Sequence, residues 1–370
     1  MGAEVIKVEQ PEGGDFMRTI GPFVDGEHSL FWAVEGRGRQ GVTLDLRQPV
    51  GQDLFRRLTS HADVVCENFR PGTLEKWGVG PADCDDRLVW ARISVFGQDG
   101  PYASRPGLDR LGIGYGGLLH LTGYRDQPPV RPGVTVSDYL AGVFAAEAVT
   151  AALYRRDRPD GGTGRGTVID APLYGAVLRI LEWTIAGYDR LGLVRQREGN
   201  RVANSAPLDN YPTADGRYVC IVAGSDANFR RLCRAMDRPE LADAPEWATL
   251  AGRAQRSDEI NGIVAAWTAT RTAAAIEAVC IAHDVPVGTA YSAADIAADP
   301  HMAWRGDLVT VDDPVAGRHR QQASFPRLDG ERPVAPSPAP QLGQHNEDVW
   351  CGLVGLTADE LAGYRAEGII

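Results

Sequence analysis

The sequence is short of several things, and each shortage closes off a class of function. No CxxC pair occurs among its six cysteines, Cys66, Cys84, Cys220, Cys233, Cys280 and Cys351. They are scattered, mostly in apolar stretches, which fits free and largely buried thiols in a reducing cytoplasm. The seven histidines show no HExxH or comparable spacing, so no metal site is expected. No apolar run reaches the roughly 18 residues of a membrane span. The opening stretch, MGAEVIKVEQPEGGD, has neither a basic leader nor a long apolar segment, and reads like the middle of a fold. Positive charge is also scarce: 38 Lys and Arg stand against 49 Asp and Glu, a net charge of −11. A phosphate-rich polymer would be repelled, so neither nucleic acid nor membrane is an expected partner. A small anion stays open wherever basic residues gather.

What is present is the material of a globular protein. The 370 residues are 44% hydrophobic and 24% charged, enough for two or three units with a sizeable core. The first half alternates strand-like and helix-like stretches. AEVIKVE (3–9), GVTLDL (41–46), ADVVCENF (62–69), RLVWARISVFG (87–97) and GTVIDA (166–171) read as strands. QPVGQDLFRRLTSH (48–61) spaces Val50, Leu54 and Leu58 four apart, as one helix face. Strand, helix, strand at this spacing predicts βαβ units and a covered parallel sheet.

A long helical pattern runs from Tyr139, and another from 172 to 191. Residues 196–212 read as a polar linker. TADGRYVCIVAG (213–224) turns at Asp215-Gly216 into a strand. The expected organisation is a large α/β domain over 1–177, completed by 340–370. A linker over 178–204 leads to a smaller α+β domain over 205–305, and an irregular return linker follows over 306–339. No internal repeats occur.

Three constellations carry chemistry. GIGYGG (112–117) matches GxGxxG by letter, but a polar turn rather than a strand precedes it, so no dinucleotide site is expected. Basic turns at EGRGRQG (35–41) and NFRPGTLEKWG (68–78) place Arg37, Arg39, Arg70 and Lys76 beside strands. Ligands of open α/β sheets sit beyond the strands' carboxyl ends. These residues read either as an anion site or as solvated surface charge. In VTVSDYLAGVF (134–144), Ser137 and Asp138 open a helix. Asp138 is either the cap of that helix or a carboxylate that does chemistry, held ionised by the helix's positive end. A Ser-His-Asp reading fails for want of GxSxG and of a suitable histidine. His120 reads as packed, His301 as a turn residue and His345 as structural.

Taken together these stretches resemble the class III CoA-transferase family, which includes formyl-CoA transferase, carnitine CoA-transferase and the acyl-CoA racemases. The resemblance runs nearly end to end, from GAEVIKVEQPEGGDFMR (2–18) through ADVVCENFRPGTLEKWGVG (62–80) and SVFGQDGPYASRPGLD (94–109). It continues through VTVSDYLAG (134–142) to PQLGQHNEDVW and the final GII. It implies that Asp138 is the catalytic aspartate. It implies coenzyme A contacts at Arg39, Gln40, Asn68, Phe69 and Lys76, with Trp77 near the adenine and Asp109 counted among them. No permanent cofactor is implied, because CoA is substrate.

The fold implied is α/β, an open Rossmann-like parallel sheet with helices on both faces plus the smaller domain, in an interlocked homodimer. Three departures bear on function. The family has a further strand and helix ahead of the first strand here, which leaves open a CoA-binding but inactive member. Gln10 stands where a basic residue is common. Leu108 precedes Asp109 where the racemases carry histidine, which favours transfer over α-epimerisation. In such a transfer Asp138 would form an anhydride and then a thioester, and a glycine-containing segment such as VAGSD (222–226) would exclude water.

Overall fold

The computed structural model describes residues 2–370. The chain divides into two compact units. The first comprises residues through Gly116, Val134–Ile180 and Ala297–Ile370. Its elements in chain order begin with β1 (Ile6–Glu9), α1 (Leu30–Glu35), β2 (Gln40–Thr43), α2 (Pro49–Thr59) and β3 (Val64–Glu67). They continue with α3 (Thr73–Lys76), β4 (Val89–Ser94), α4 (Asp109–Tyr115) and α5 (Val136–Asp157). β5 (Val168–Pro172) and α6 (Leu173–Arg179) come next. β1 pairs with β2, and β3, β4 and β5 pair side by side, all in parallel. The five predicted strands are therefore present, mostly shorter than expected, with β2 starting one residue earlier and β5 ending one residue later, in a mixed α/β fold with parallel sheets.

Hydrophobic burial explains the helices. Pro49 starts α2, where a missing N–H costs nothing. The buried face of α2 runs through Gly51, Leu54, Phe55 and Leu58. Val50, expected on that face, is exposed at 38%. Leu54 and Leu58 join Val42, Leu74, Trp90, Trp350 and Ile369 in one core, so the last residues of the chain pack with the first. The C-terminal segment also closes the edge of β2. Gly41 donates its N–H to His345 Nδ1 at 3.0 Å, and its carbonyl accepts the His345 N–H at 2.9 Å. Asn346 accepts the Thr43 N–H at 2.8 Å and donates to the Thr43 hydroxyl at 2.7 Å. Two side chains thus do for β2 what a neighbouring strand would do. His345 is structural, as expected.

The second unit comprises Gly117–Gly133 and Leu181–Ile296. Its three strands, Leu208–Pro212, Tyr218–Val222 and Val287–Thr289, are antiparallel, with Tyr218–Val222 in the middle. The predicted turn at Asp215-Gly216 joins the first two, and Leu208–Pro212 lies within the stretch read as linker. Phe229, Leu232, Ile260 and Ile276 are fully buried against the sheet residues Val219 and Ile221. Arg253 is wholly buried there and donates to the carbonyls of Ala206, Trp247 and Gly224 and to Asp226. VAGSD is therefore pinned down on two of its residues.

Two further expectations need correction. The pattern over 172–191 is not one helix: α6 stops at Arg179 and a second helix runs Thr184–Leu191. Glu182 between them adopts a left-handed φ of 55°. The span 306–339 is not irregular throughout, for it contains a hairpin of Leu308–Asp313 with Gly317–Gln322.

Candidate active site

Asp138 lies in the first turn of α5, two residues inside the helix. The helix starts at Val136, and the preceding Thr135 makes no side-chain cap. Asp138 is thus not the cap. That service comes from outside the segment. Asp109, at the start of α4, accepts the Ser137 N–H at 3.0 Å and the Ser137 hydroxyl at 2.9 Å on one carboxylate oxygen. Ser137 also donates to the Asp109 carbonyl at 3.0 Å. Both residues are buried, at 6% and 0% exposure. A buried carboxylate satisfies one of the orphan N–H groups of the helix start.

The glycines of GIGYGG make this approach possible. They lie in and just after α4, not in a phosphate-binding loop. A Cβ on Gly112 would fall 2.8 Å from the Ser137 hydroxyl and from Leu173, and one on Gly116 would fall 2.6 Å from Val177. Only glycine lets α4 lie flush against α5 and α6.

No hydrogen-bond donor among the described residues reaches the Asp138 carboxylate. Its pKa is pushed up to about 6, first by the protein crowded around it and then by the negative charge of Asp109. Solvent still touches the side chain, so it is crowded rather than sealed. Desolvation and the like charge thus push it in the direction opposite to the one expected from the helix start. Its neighbour Tyr139 donates to Glu35 of α1 at 2.7 Å, and its hydroxyl is pushed up to about 12 by burial and by that carboxylate.

The second cluster lies where β3 ends. Asn68, Phe69 and Lys76 are exposed and Trp77 is half-buried. Phe69 meets Trp77 edge to face with ring centres 5.4 Å apart. Arg39, half-buried just before β2, is close enough to Cys66 of β3 to draw its thiol down. Burial and Glu67 outweigh it and push that thiol up. Gln40, exposed, begins β2. Gln10 donates to the Gly14 carbonyl at 3.1 Å. No hydrogen bond or ion pair among the described residues joins Asp138 to the Asn68–Trp77 turn. Beyond the carboxyl ends of β4 and β5 lies a cavity of about 240 Å³ lined by Phe96, Tyr102, Tyr115 and Tyr174. His120 and His301 are exposed, so His120 is not packed as expected, and His301 sits in a short helix, Pro300–Arg305.

Sequence reasoning missed the charges under the turn. Glu67 and Arg92 are buried partners across β3 and β4, with Glu75 beyond. A glutamate and an arginine inside apolar strand stretches were the available signal.

Residues 1–346 match the profile described as CoA-transferase family III. Succinyl-CoA--D-citramalate CoA-transferase of Chloroflexus aurantiacus is 41% identical over 372 residues, covering 100% of this chain and 92% of that protein. Succinate--glutarate CoA-transferase of Agrobacterium fabrum is 34% identical over 366 residues, covering 95% of this chain and 89% of that protein. Among solved structures, a CAIB/BAIF family protein from Brucella suis matches with a TM-score of 0.81 and 32% identity. That match covers 99% of this chain and 92% of that one.

Proposed function

The chain belongs to CoA-transferase family III, and on that premise we propose that it moves CoA from an acyl-CoA thioester to a carboxylic acid with Asp138 as nucleophile. The observation that carries the reading is the Asp138 carboxylate, reached by solvent, without a hydrogen-bond donor and with its pKa raised to about 6. At pH 7 it is mostly ionised, yet it is more basic than an ordinary aspartate and so a better nucleophile.

Asp138 attacks the thioester carbonyl, the carbon–sulfur bond breaks, and an acyl-aspartyl anhydride and CoA thiolate result. The thiolate attacks the aspartyl carbonyl of the anhydride, releasing the donor's carboxylate and leaving an aspartyl-CoA thioester. The acceptor carboxylate attacks that thioester, forming a second anhydride and freeing the thiolate again. Attack of the thiolate on the acceptor's carbonyl yields the new acyl-CoA and regenerates Asp138. No net proton or electron is exchanged. The names of the relatives support succinyl-CoA as donor and a short dicarboxylate as acceptor.

Coenzyme A contacts fall to Arg39, Gln40, Asn68, Phe69, Lys76 and Trp77. Asp109, whose carboxylate faces Ser137, serves by holding the start of α5. The open Rossmann-like layout, the interlocked homodimer and the cytoplasmic setting belong to the same reading. Support for the dimer is the apolar face of α5, a 22-residue helix apolar enough to cross a membrane by length and composition alone. It leaves Val143 66% and Tyr154 71% exposed in the single chain. Such a face calls for a covering surface. The helix as a whole also carries the charged Asp138, Glu147 and Arg155, which suits a protein partner better than lipid. Leu108, exposed beside Asp109, offers no second acid or base, which disfavours epimerisation.

The test is to incubate the protein with succinyl-CoA and hydroxylamine. A hydroxamate mapped to Asp138 by peptide mass is the expected result. Undiminished turnover in Asp138→Ala would sink the assignment.

A further inference from the structure

We infer that Arg92 is a positioning residue for coenzyme A, acting through the Asn68–Trp77 turn; this rests on the reading of that turn as the coenzyme's contact. Arg92 stands on β4 in register with Glu67 on β3. Its guanidinium lies between two carboxylates, the inner Glu67 and the outer Glu75, whose side chains are 4% and 43% exposed. Arg92 Nε donates to Glu67 at 2.6 Å, and its two terminal nitrogens donate to Glu75 at 2.5 and 3.2 Å. Glu67 carries the constraint onward, because its second oxygen accepts the Phe69 N–H at 2.7 Å.

One cation therefore holds both ends of the turn. The entry is held at Glu67, immediately before Asn68, and the exit at Glu75, immediately before Lys76 and Trp77. Arg92 donates from three separate nitrogens of one rigid plane; a lysine has its three donors on a single atom and cannot span the two carboxylates in this geometry. Stability alone does not explain the arrangement, since a well-packed apolar pair commonly serves a buried position as well. What the ionic version adds is direction. The backbone of the turn that presents Asn68, Phe69 and Lys76 is held by a charge network beneath it, in addition to the Phe69–Trp77 contact.

The test measures CoA binding to the full chain by titration calorimetry, alongside KM for succinyl-CoA and for the acceptor. Arg92→Lys, and Glu75→Gln at the solvent-exposed end of the network, are each expected to weaken CoA binding roughly tenfold. KM for the acyl-CoA should rise in step, while KM for the acceptor carboxylate holds. Asp63→Asn removes an ion pair to Arg156 elsewhere in the same unit and should leave CoA affinity unchanged. Wild-type affinity in both network variants overturns this inference and leaves the proposed reaction standing. An equal loss in Asp63→Asn overturns it as well, by showing general loosening. A wild-type protein that binds no CoA overturns both readings.

Discussion

The buried carboxylate of Asp109 holds Ser137 by its N–H and by its hydroxyl, at 3.0 and 2.9 Å, and so sets the start of the helix that carries Asp138. Asp109→Ala leaves the buried Ser137 N–H without its acceptor, and the hydroxyl keeps only the Asp109 carbonyl. A stability loss of roughly 2 kcal/mol is expected, together with a fall in kcat as Asp138 loses its fixed place. Urea unfolding and steady-state kinetics on one preparation would check both.

Burial of Asp138, and after it the charge of Asp109, set the pH dependence. Transfer needs Asp138 ionised, so kcat/KM should fall on the acid side with an apparent pKa of about 6. Asp109 contributes to that elevation through its charge. Asp109→Asn keeps an acceptor oxygen for Ser137 and removes the charge, so the acid limb should move to lower pH. A limb that stays put or rises would show that the like charge is unimportant.

Asp138→Asn should cost turnover and gain stability. Loss of the nucleophile is expected to lower kcat by a thousandfold or more, on the order seen when a nucleophile is removed elsewhere. The folded pKa lies above the ordinary 3.8, so the folded chain holds more protons between 3.8 and about 6. Stability therefore declines as pH rises through that window. The neutral amide escapes this penalty. A gain of about 1 kcal/mol at pH 7, discounted for the solvent that reaches the side chain, is expected from thermal unfolding.

Gly112→Ala should loosen the crossing of α4 on α5 and α6. The new methyl meets the Ser137 hydroxyl and Leu173 at 2.8 Å. A cost of about 1–3 kcal/mol is expected, and kcat should fall further than the KM values change.

How much of this could be read beforehand varies with the range of the interactions. The five strands stood out because apolar periodicity is local; Asp138 did not stand out from its own stretch, and the end-to-end family resemblance is what singled it out. The cap of α5 stayed hidden, because its donor and acceptor are 28 residues apart, and a Ser-Asp pair at a helix start looks complete in itself. The break between Arg179 and Thr184 was hidden for another reason: no proline or glycine marks it, and Glu182 takes the turning conformation instead. The hairpin at Leu308–Asp313 had a signal that passed unused. Val309, Val311 and Asp313 alternate as buried positions with exposed neighbours, which is a strand's period of two. The Arg92 network needed the register of β3 on β4, which no single stretch contains.

The closure of β2 by His345 and Asn346 sets an order of events during synthesis. Gly41 and Thr43 find their partners 304 and 303 positions later. On the ribosome, the strand ahead of α2 emerges with one edge bare and keeps it so until His345 and Asn346 have followed. An exposed strand edge invites pairing with other chains. The interval between residues 43 and 345 is therefore a period in which the nascent strand is open to misassembly, and its length is set by the speed of translation.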